Sequence, residues 1–279
     1  IIIYGAGVVG CEYSSIFNAL GAKVTLINRH PEILHFLDHE IRNALSYHFR
    51  DKGIHIRHNE NCTDVKTKDN NVEVTLSSGK KLTAQTLLAT LGRRGDIEHL
   101  GTSAIGIEST SKGHLVVNEH YQTSIPNIYA VGDLTGFPCL ASAAYDQGRF
   151  AALHILDPNC DNSLVKDVPV GIYTSPEISA IGQTEEKLSK QNVPYEVGHV
   201  AFKHLARAQI TNQTVGMLKL LFHSESLKIL GIHCFGQNAT EIVHIGQAIM
   251  AQPAPHNTLH YFINTTFNYP TMAEAYRVA

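Results

Sequence analysis

The sequence predicts an α/β fold, a parallel sheet interrupted by an antiparallel meander, with an α+β segment at the C-terminal end. Three observations carry that prediction. Near the start, an apolar β-branched run, a glycine-rich turn, a helical periodicity and a second apolar run follow one another before residue 28. A unit that short joins two parallel strands through a right-handed crossover. Beyond residue 169 the pattern changes to apolar runs joined by short turns, as in antiparallel hairpins. The 279 residues are 43% hydrophobic and 17% charged, enough for two domains of ordinary size and too apolar for disorder.

Ile1 to Tyr4 reads as the first strand, Gly5-Ala6-Gly7-Val8-Val9-Gly10 as the turn, and Cys11 to Leu20 as a helix closed by Gly21. Lys23 to Ile27 is the second strand. Asp38 to Lys52 places apolar residues at 41, 45 and 49, one face of a helix that ends at Gly53, and 54–56 continues as a third strand. Val72-Glu73-Val74-Thr75-Leu76 alternates between turn residues at 69–71 and 77–79, so 61–90 forms a meander that re-enters the parallel sheet through 86–90. Ile128 to Asp133 reads as a further strand ending in a Gly-Asp turn, Leu140 to Leu156 as an alanine-rich helix, and Asp157 to Pro169 as a linker. The runs 215–222 and 228–234 flank a turn at 223–226, and helices follow around 239–251 and at the C-terminus.

Lys and Arg number 22 against 25 Asp and Glu, a net charge of −3, which argues against a nucleic-acid partner. No apolar run approaches the roughly 18 residues of a membrane span. The start has neither a basic leader nor a Met and falls directly on a strand, so a soluble, cytoplasmic protein with something preceding residue 1 is expected. Cys11, Cys62, Cys139, Cys160 and Cys234 are odd in number and widely spaced, with no CxxC pair, and read as structural thiols. His30, His35 and His39 lack partners at metal-site spacing, and His244 is outside an HExxH pattern, so no metal site is expected. No GxSxG nucleophile elbow occurs.

The chemistry concentrates at the glycine turn. In a Rossmann-like unit, Gly5, Gly7 and Gly10 allow a tight turn, close approach of a pyrophosphate and close packing of helix on strand. The helix N-terminus then supplies the positive end of its dipole to the phosphate. A site selective for NAD places a carboxylate at the end of the second strand. This chain has Asn28-Arg29-His30 there. Asn28 can bond a ribose hydroxyl without charge, and Arg29 and His30 can accept a 2′-phosphate, so the site is expected to accept NAD and NADP alike. The alternative is that Arg29 is an ordinary solvated loop residue. Gly132 and Asp133 suit contact with a phosphate and polyol chain, although such a pair also serves as a simple turn.

The segments Gly5 to Glu12, Ala89 to Arg94, Asn127 to Asp133, Leu140-Ala141 and Gln147-Gly148-Arg149 resemble, in order and spacing, the flavoprotein pyridine-nucleotide oxidoreductases of the dihydrolipoamide dehydrogenase and glutathione reductase type. The resemblance runs the length of the chain. It implies an NAD(P)-binding domain over 1–112, the C-terminal part of an FAD-binding domain over 113–160, and an α+β interface domain over 165–279 that makes a homodimer. It further implies that Gly5, Gly7 and Gly10 face the nucleotide pyrophosphate and Asn28 and Arg29 the adenosine end. Gly92 and Glu12 would lie by the nicotinamide. Gly132 and Asp133 would contact the FAD ribityl and phosphate region, with Leu140 and Ala141 lining the flavin.

At the C-terminus, disulfide reductases of the family carry His-Pro-Thr followed by Glu. Here Tyr269-Pro270-Thr271 stands in that place and Glu274 remains. A phenol with a reference pKa of about 10 is a poor proton shuttle at neutral pH. Hydride exchange between NADPH and NAD+ through FAD needs no such shuttle, so the resemblance implies that activity, with Glu12, Tyr269 and Glu274 as its catalytic-site residues. A lipoamide or glutathione type of disulfide reductase, a non-catalytic nucleotide-binding role, and simple interface packing of Tyr269 are the alternatives. The family carries two dinucleotide fingerprints and this chain only one, so it is expected to lack the N-terminal FAD-binding part and to be inactive and poor at binding FAD by itself.

Overall fold

A computed structural model describes residues 1–160 and 167–279, which divide into two compact units, one formed by 1–91 with 169–279 and the other by 92–168. The first opens with β1 (Ile2–Tyr4), α1 (Val8–Ala19), β2 (Thr25–Ile27), α2 (His39–Asp51) and β3 (His55–Arg57). The strands β4 (Cys62–Lys68), β5 (Asn71–Leu76) and β6 (Lys81–Ala84) make a three-stranded antiparallel sheet, and β7 (Leu87–Ala89) returns beside β1. The parallel sheet runs in the order β3-β2-β1-β7. Ile2, Ile3, Leu26 and Ile27 are fully or nearly fully buried, as expected for central strands covered on both faces. On α2, Ile41, Leu45 and Phe49 make the buried stripe the spacing predicts, each worth about 2 kcal/mol of transfer free energy. Asp38 caps this helix by accepting from the Glu40 amide at 3.2 Å.

The second unit is mostly turns, including short 3-10 segments at Glu98–Leu100, Thr102–Ile105 and Gly132–Thr135, followed by the long helix α3 (Ala141–Leu156). Ile107, Leu115 and Ala130 form its small core, with Ile97, Val117, Ile125 and Ile128 against it. Among the described residues, 128–133 does not form the expected strand. A strand requires a ladder, and this segment makes one bridge, Tyr129 with Gln122, before Gly132 turns into the 3-10 segment. Its apolar residues serve the local core instead. Of the expected linker, 161–166 lie outside the described residues.

The chain then rejoins the first unit as β8 (Val170–Ile172), β9 (Ile178–Gly182), α4 (Glu185–Lys190), β10 (Tyr195–Ala201), α5 (Ala206–Ile210), β11 (Gly216–His223) and β12 (Ile229–Gly236). The helices α6 (Ala239–Met250), α7 (His260–Asn264) and α8 (Glu274–Val278) complete it. The sheet is antiparallel in the order β10-β11-β12-β9-β8, with the predicted hairpin at its centre. Phe202, Phe262, Tyr276, Ile242 and Val243 fill the space between this sheet and its helices. A second core joins Ile41, Leu45 and Phe49 of α2 to Ile172, Ile178 and Phe235, so this sheet and the parallel-sheet portion share buried apolar surface.

Candidate functional site

The turn between β1 and α1 is set by backbone crowding. Gly5 has φ +114°, and a Cβ on it would press on the Thr90 carbonyl. A Cβ on Gly10 would overlap the Gly5 carbonyl oxygen. The Thr90 hydroxyl donates to that oxygen at 2.8 Å, and the Gly5 amide donates to Ile27 O at 2.9 Å. Gly7 differs: its φ is −78°, it is exposed, and a Cβ there would meet nothing. Because α1 starts with no side-chain cap and no acidic residue in its first turn, the first amides and the positive dipole end face open space. That arrangement fits an anionic pyrophosphate.

At the end of β2, Asn28 is only 3% exposed. Its amide nitrogen donates to His30 O at 2.8 Å, and its carbonyl oxygen accepts from His30 N at 3.3 Å, so the side chain closes a turn. That turn leaves Arg29 and His30 exposed, with the His30 ring 5.3 Å from His35. Gly92 is exposed at φ +110°. Glu12 is half-buried and accepts from the Tyr173 amide at 2.8 Å, while Ser15 accepts from the Ser175 amide at 3.1 Å; together they tie α1 to the chain following β8.

In the second unit, Gly132 is buried at φ +71° and donates its amide to Gln147 Oε1 at 2.6 Å. The Asp133 carboxylate is about half exposed and pairs with Arg93 at 2.7 Å. Leu140 and Ala141 open α3, again without a side-chain cap or an acidic first turn. A carboxylate and an uncapped helix start suit the hydroxyls and phosphate of a flavin nucleotide. At the C-terminal end, Tyr269 is 66% exposed, and Glu274 begins α8 with one buried carboxylate oxygen that has no hydrogen-bond partner among the described residues.

Sequence reasoning missed the supports of both turns. Thr90 and Gln147 lie within the segments that carry the family resemblance, but their roles appear only when the fold brings them to Gly5 and Gly132. It also missed a cluster in which the buried Asp38, the half-buried Glu185 and the exposed Glu40 converge closely enough to share a cation; the buried Lys219 ammonium pairs with all three. The five cysteines are unpaired, and burial pushes the Cys11 and Cys234 thiols far up. Among the described residues, no helix is long and apolar enough to cross a membrane.

Residues 1–148 match the family described as pyridine nucleotide-disulphide oxidoreductase, and residues 168–279 match its dimerisation domain. The chain belongs to the pyridine nucleotide-disulphide oxidoreductases. Over its whole length it is 59% identical to the soluble pyridine nucleotide transhydrogenases of Photorhabdus laumondii and of a Marinomonas species, and it spans 60% of the length of each. Among solved structures, the HOCl-induced flavoprotein disulfide reductase RclA from Escherichia coli superposes with a TM-score of 0.91 at 26% identity, over 99% of this chain and 62% of that one. LpdA from Mycobacterium tuberculosis gives 0.89 at 25%, over 99% and 60%. The resemblance read from the motifs and the expected α/β architecture are both borne out.

Proposed function

We propose that the chain binds NADPH and NAD+ at the 5–10 turn and serves FAD-dependent hydride transfer between them. The observation that carries this reading is the pairing of an open, uncapped helix start at Gly7 with a β2 end that presents Arg29 and His30 and no carboxylate. Gly7 and the α1 amides take the pyrophosphate, while Arg29 and His30 receive the 2′-phosphate when there is one. Asn28 acts by holding the turn that presents them. Glu12 orients the chain near the nicotinamide. FAD, when bound, supplies the two-electron chemistry. Gly132, Asp133, Leu140 and Ala141 would hold it, with Asp133 accepting from a hydroxyl.

On this reading the domains run 1–112, 113–160 and 165–279, the last as the interface of a homo-oligomer, supported by the match to a dimerisation domain. The exposed Tyr269 phenol, with no hydrogen-bond partner among the described residues, stands where disulfide reductases of the family carry an imidazole, which fits nucleotide-to-nucleotide transfer better than disulfide reduction. The unpaired thiols support a reducing, cytoplasmic setting.

Calorimetric titration of the chain with NADPH and NADH tests the first part, and hydride transfer from NADPH to a thionicotinamide analogue of NAD+ by a longer form that also carries the N-terminal FAD-binding part tests the second. Binding of both nucleotides and transfer between them is the expected result. Rapid reduction of lipoamide or glutathione disulfide without that transfer overturns the reading in favour of a disulfide reductase.

A further inference from the structure

The loop between β2 and α2 is gripped by charges from the far end of the chain. The Lys219 side chain on β11 is fully buried, and its ammonium reaches Asp38 Oδ1 at 2.8 Å, Glu40 Oε2 at 2.9 Å and Glu185 Oε1. Asp38 also accepts from the Glu185 amide at 3.3 Å. Burial works to raise the Asp38 carboxyl, but the hydrogen bond from Lys219 and the nearby His233 and Lys219 charges outweigh it and hold the group below its usual range. One turn further along α2, the largely buried Arg42 donates from Nη1 to His35 O at 2.9 Å. Its Nη2 is shared by Glu186 Oε1 at 2.8 Å and Glu32 Oε2 at 3.1 Å.

Arg42 therefore holds two points of the 29–37 loop, Glu32 and the His35 carbonyl, while Glu186 on α4 holds Arg42. Other points of the loop are fixed as well: the Leu34 amide donates to Ala6 O of the glycine turn at 3.3 Å, the Asn59 amide donates to His30 O at 3.3 Å, and Ile33, Leu34 and Leu37 are buried in the core. Arg29 and His30 stand at the exposed start of this loop. The guanidinium Nη2, with two N–H groups, bridges the two carboxylates, so the place of Glu32 depends on where Glu186 holds the guanidinium. Arg42 is the buried member of the group, and a buried guanidinium left without a carboxylate is costly, so it follows the position of Glu186.

We propose that Glu186 is a positioning residue for the adenosine end of the nucleotide site: through Arg42 it sets the 29–37 loop, and so the discrimination between a 2′-phosphate and a 2′-hydroxyl. The inference rests on the nucleotide-binding reading of the 5–10 turn. It makes the C-terminal α+β portion part of the nucleotide selectivity rather than only an interface.

The test is calorimetric titration of the 279-residue chain and its E186Q variant with NADPH and with NADH, repeated in an R29Q background, with circular dichroism as the folding control. E186Q is expected to raise the NADPH Kd about three- to tenfold and to leave the NADH Kd within about twofold. In R29Q, the added effect of E186Q should shrink below about twofold, because both substitutions act on one contact. Equal changes for the two nucleotides, no change for either, or an undiminished effect in R29Q overturns the proposal and leaves Glu186 a structural residue. E186D keeps the charge and carries the same comparison if E186Q does not fold: a NADPH-selective shift supports the proposal and a non-selective one overturns it. Wild-type chain that binds neither nucleotide overturns the underlying reading, and the proposal with it, which is distinct from nucleotide binding that E186Q does not alter.

Discussion

The turns at 5–10 and at 132–141 both lead to an uncapped helix start, yet different forces hold them. In the first, backbone meets backbone: the places where Cβ atoms would stand on Gly5 and Gly10 are filled by the carbonyls of Thr90 and Gly5. In the second, the left-handed Gly132 has a neighbouring side chain no nearer than ordinary contact, and its amide depends on Gln147. A turn set by sterics admits only glycine and shows itself in a sequence. A turn set by a polar side chain depends on a residue whose role is invisible until the helix carrying it is in place.

The largest effect should come from Gly10→Ala, which forces the turn apart and is expected to lower stability by about 3 kcal/mol in urea unfolding. A wild-type midpoint would show that the first turn is not sterically set, and the comparison would fail. Gln147→Ala leaves the buried Gly132 amide without an acceptor and should cost about 2 kcal/mol, read by faster hydrogen exchange across 130–147. Gly7→Ala sharpens the contrast within one motif. Stability should stay within about 0.5 kcal/mol because φ is ordinary and the space is open, while a methyl in the path of the pyrophosphate weakens NADH binding about tenfold. Asp133→Asn breaks an exposed ion pair, and calorimetric unfolding should change by less than about 0.5 kcal/mol.

Acid provides the gentlest probe. His48, His58 and His233 all belong to the first unit, and burial lowers the pKa of each. The unfolded chain takes up these protons near pH 6.5 while the folded unit resists them. Their contribution is thus fully present above about pH 6.5 and is lost as the pH falls from there through the lower folded values. Urea midpoints at pH 7.5 and 5.5 should show this loss, and His233→Gln should make it smaller. A pH-independent midpoint would remove the histidines from the account.

Much of this was legible locally. The glycine spacing, the β-branched runs and the 41, 45, 49 stripe are patterns of period and backbone freedom, which neighbours in sequence impose on one another. The strand expected over 128–133 failed because an apolar run alone cannot say whether a ladder partner exists or a local core will absorb it. Asn28 was expected to face a ribose because its residue type allows it. The structure adds a role that residue type alone does not show: one N–H and one lone pair of its amide bond His30 and close the turn.

The sequence by itself determined the Rossmann-like start, the antiparallel close, the family and the absence of a carboxylate at residues 28–30. These are written in residue type and short spacing. The tertiary structure alone decided that Thr90 secures Gly5, that Gln147 secures Gly132, and that Lys219 meets Asp38 across 181 positions of chain. Buried polar groups must find partners, and chain folding rather than sequence proximity chooses which ones are within reach.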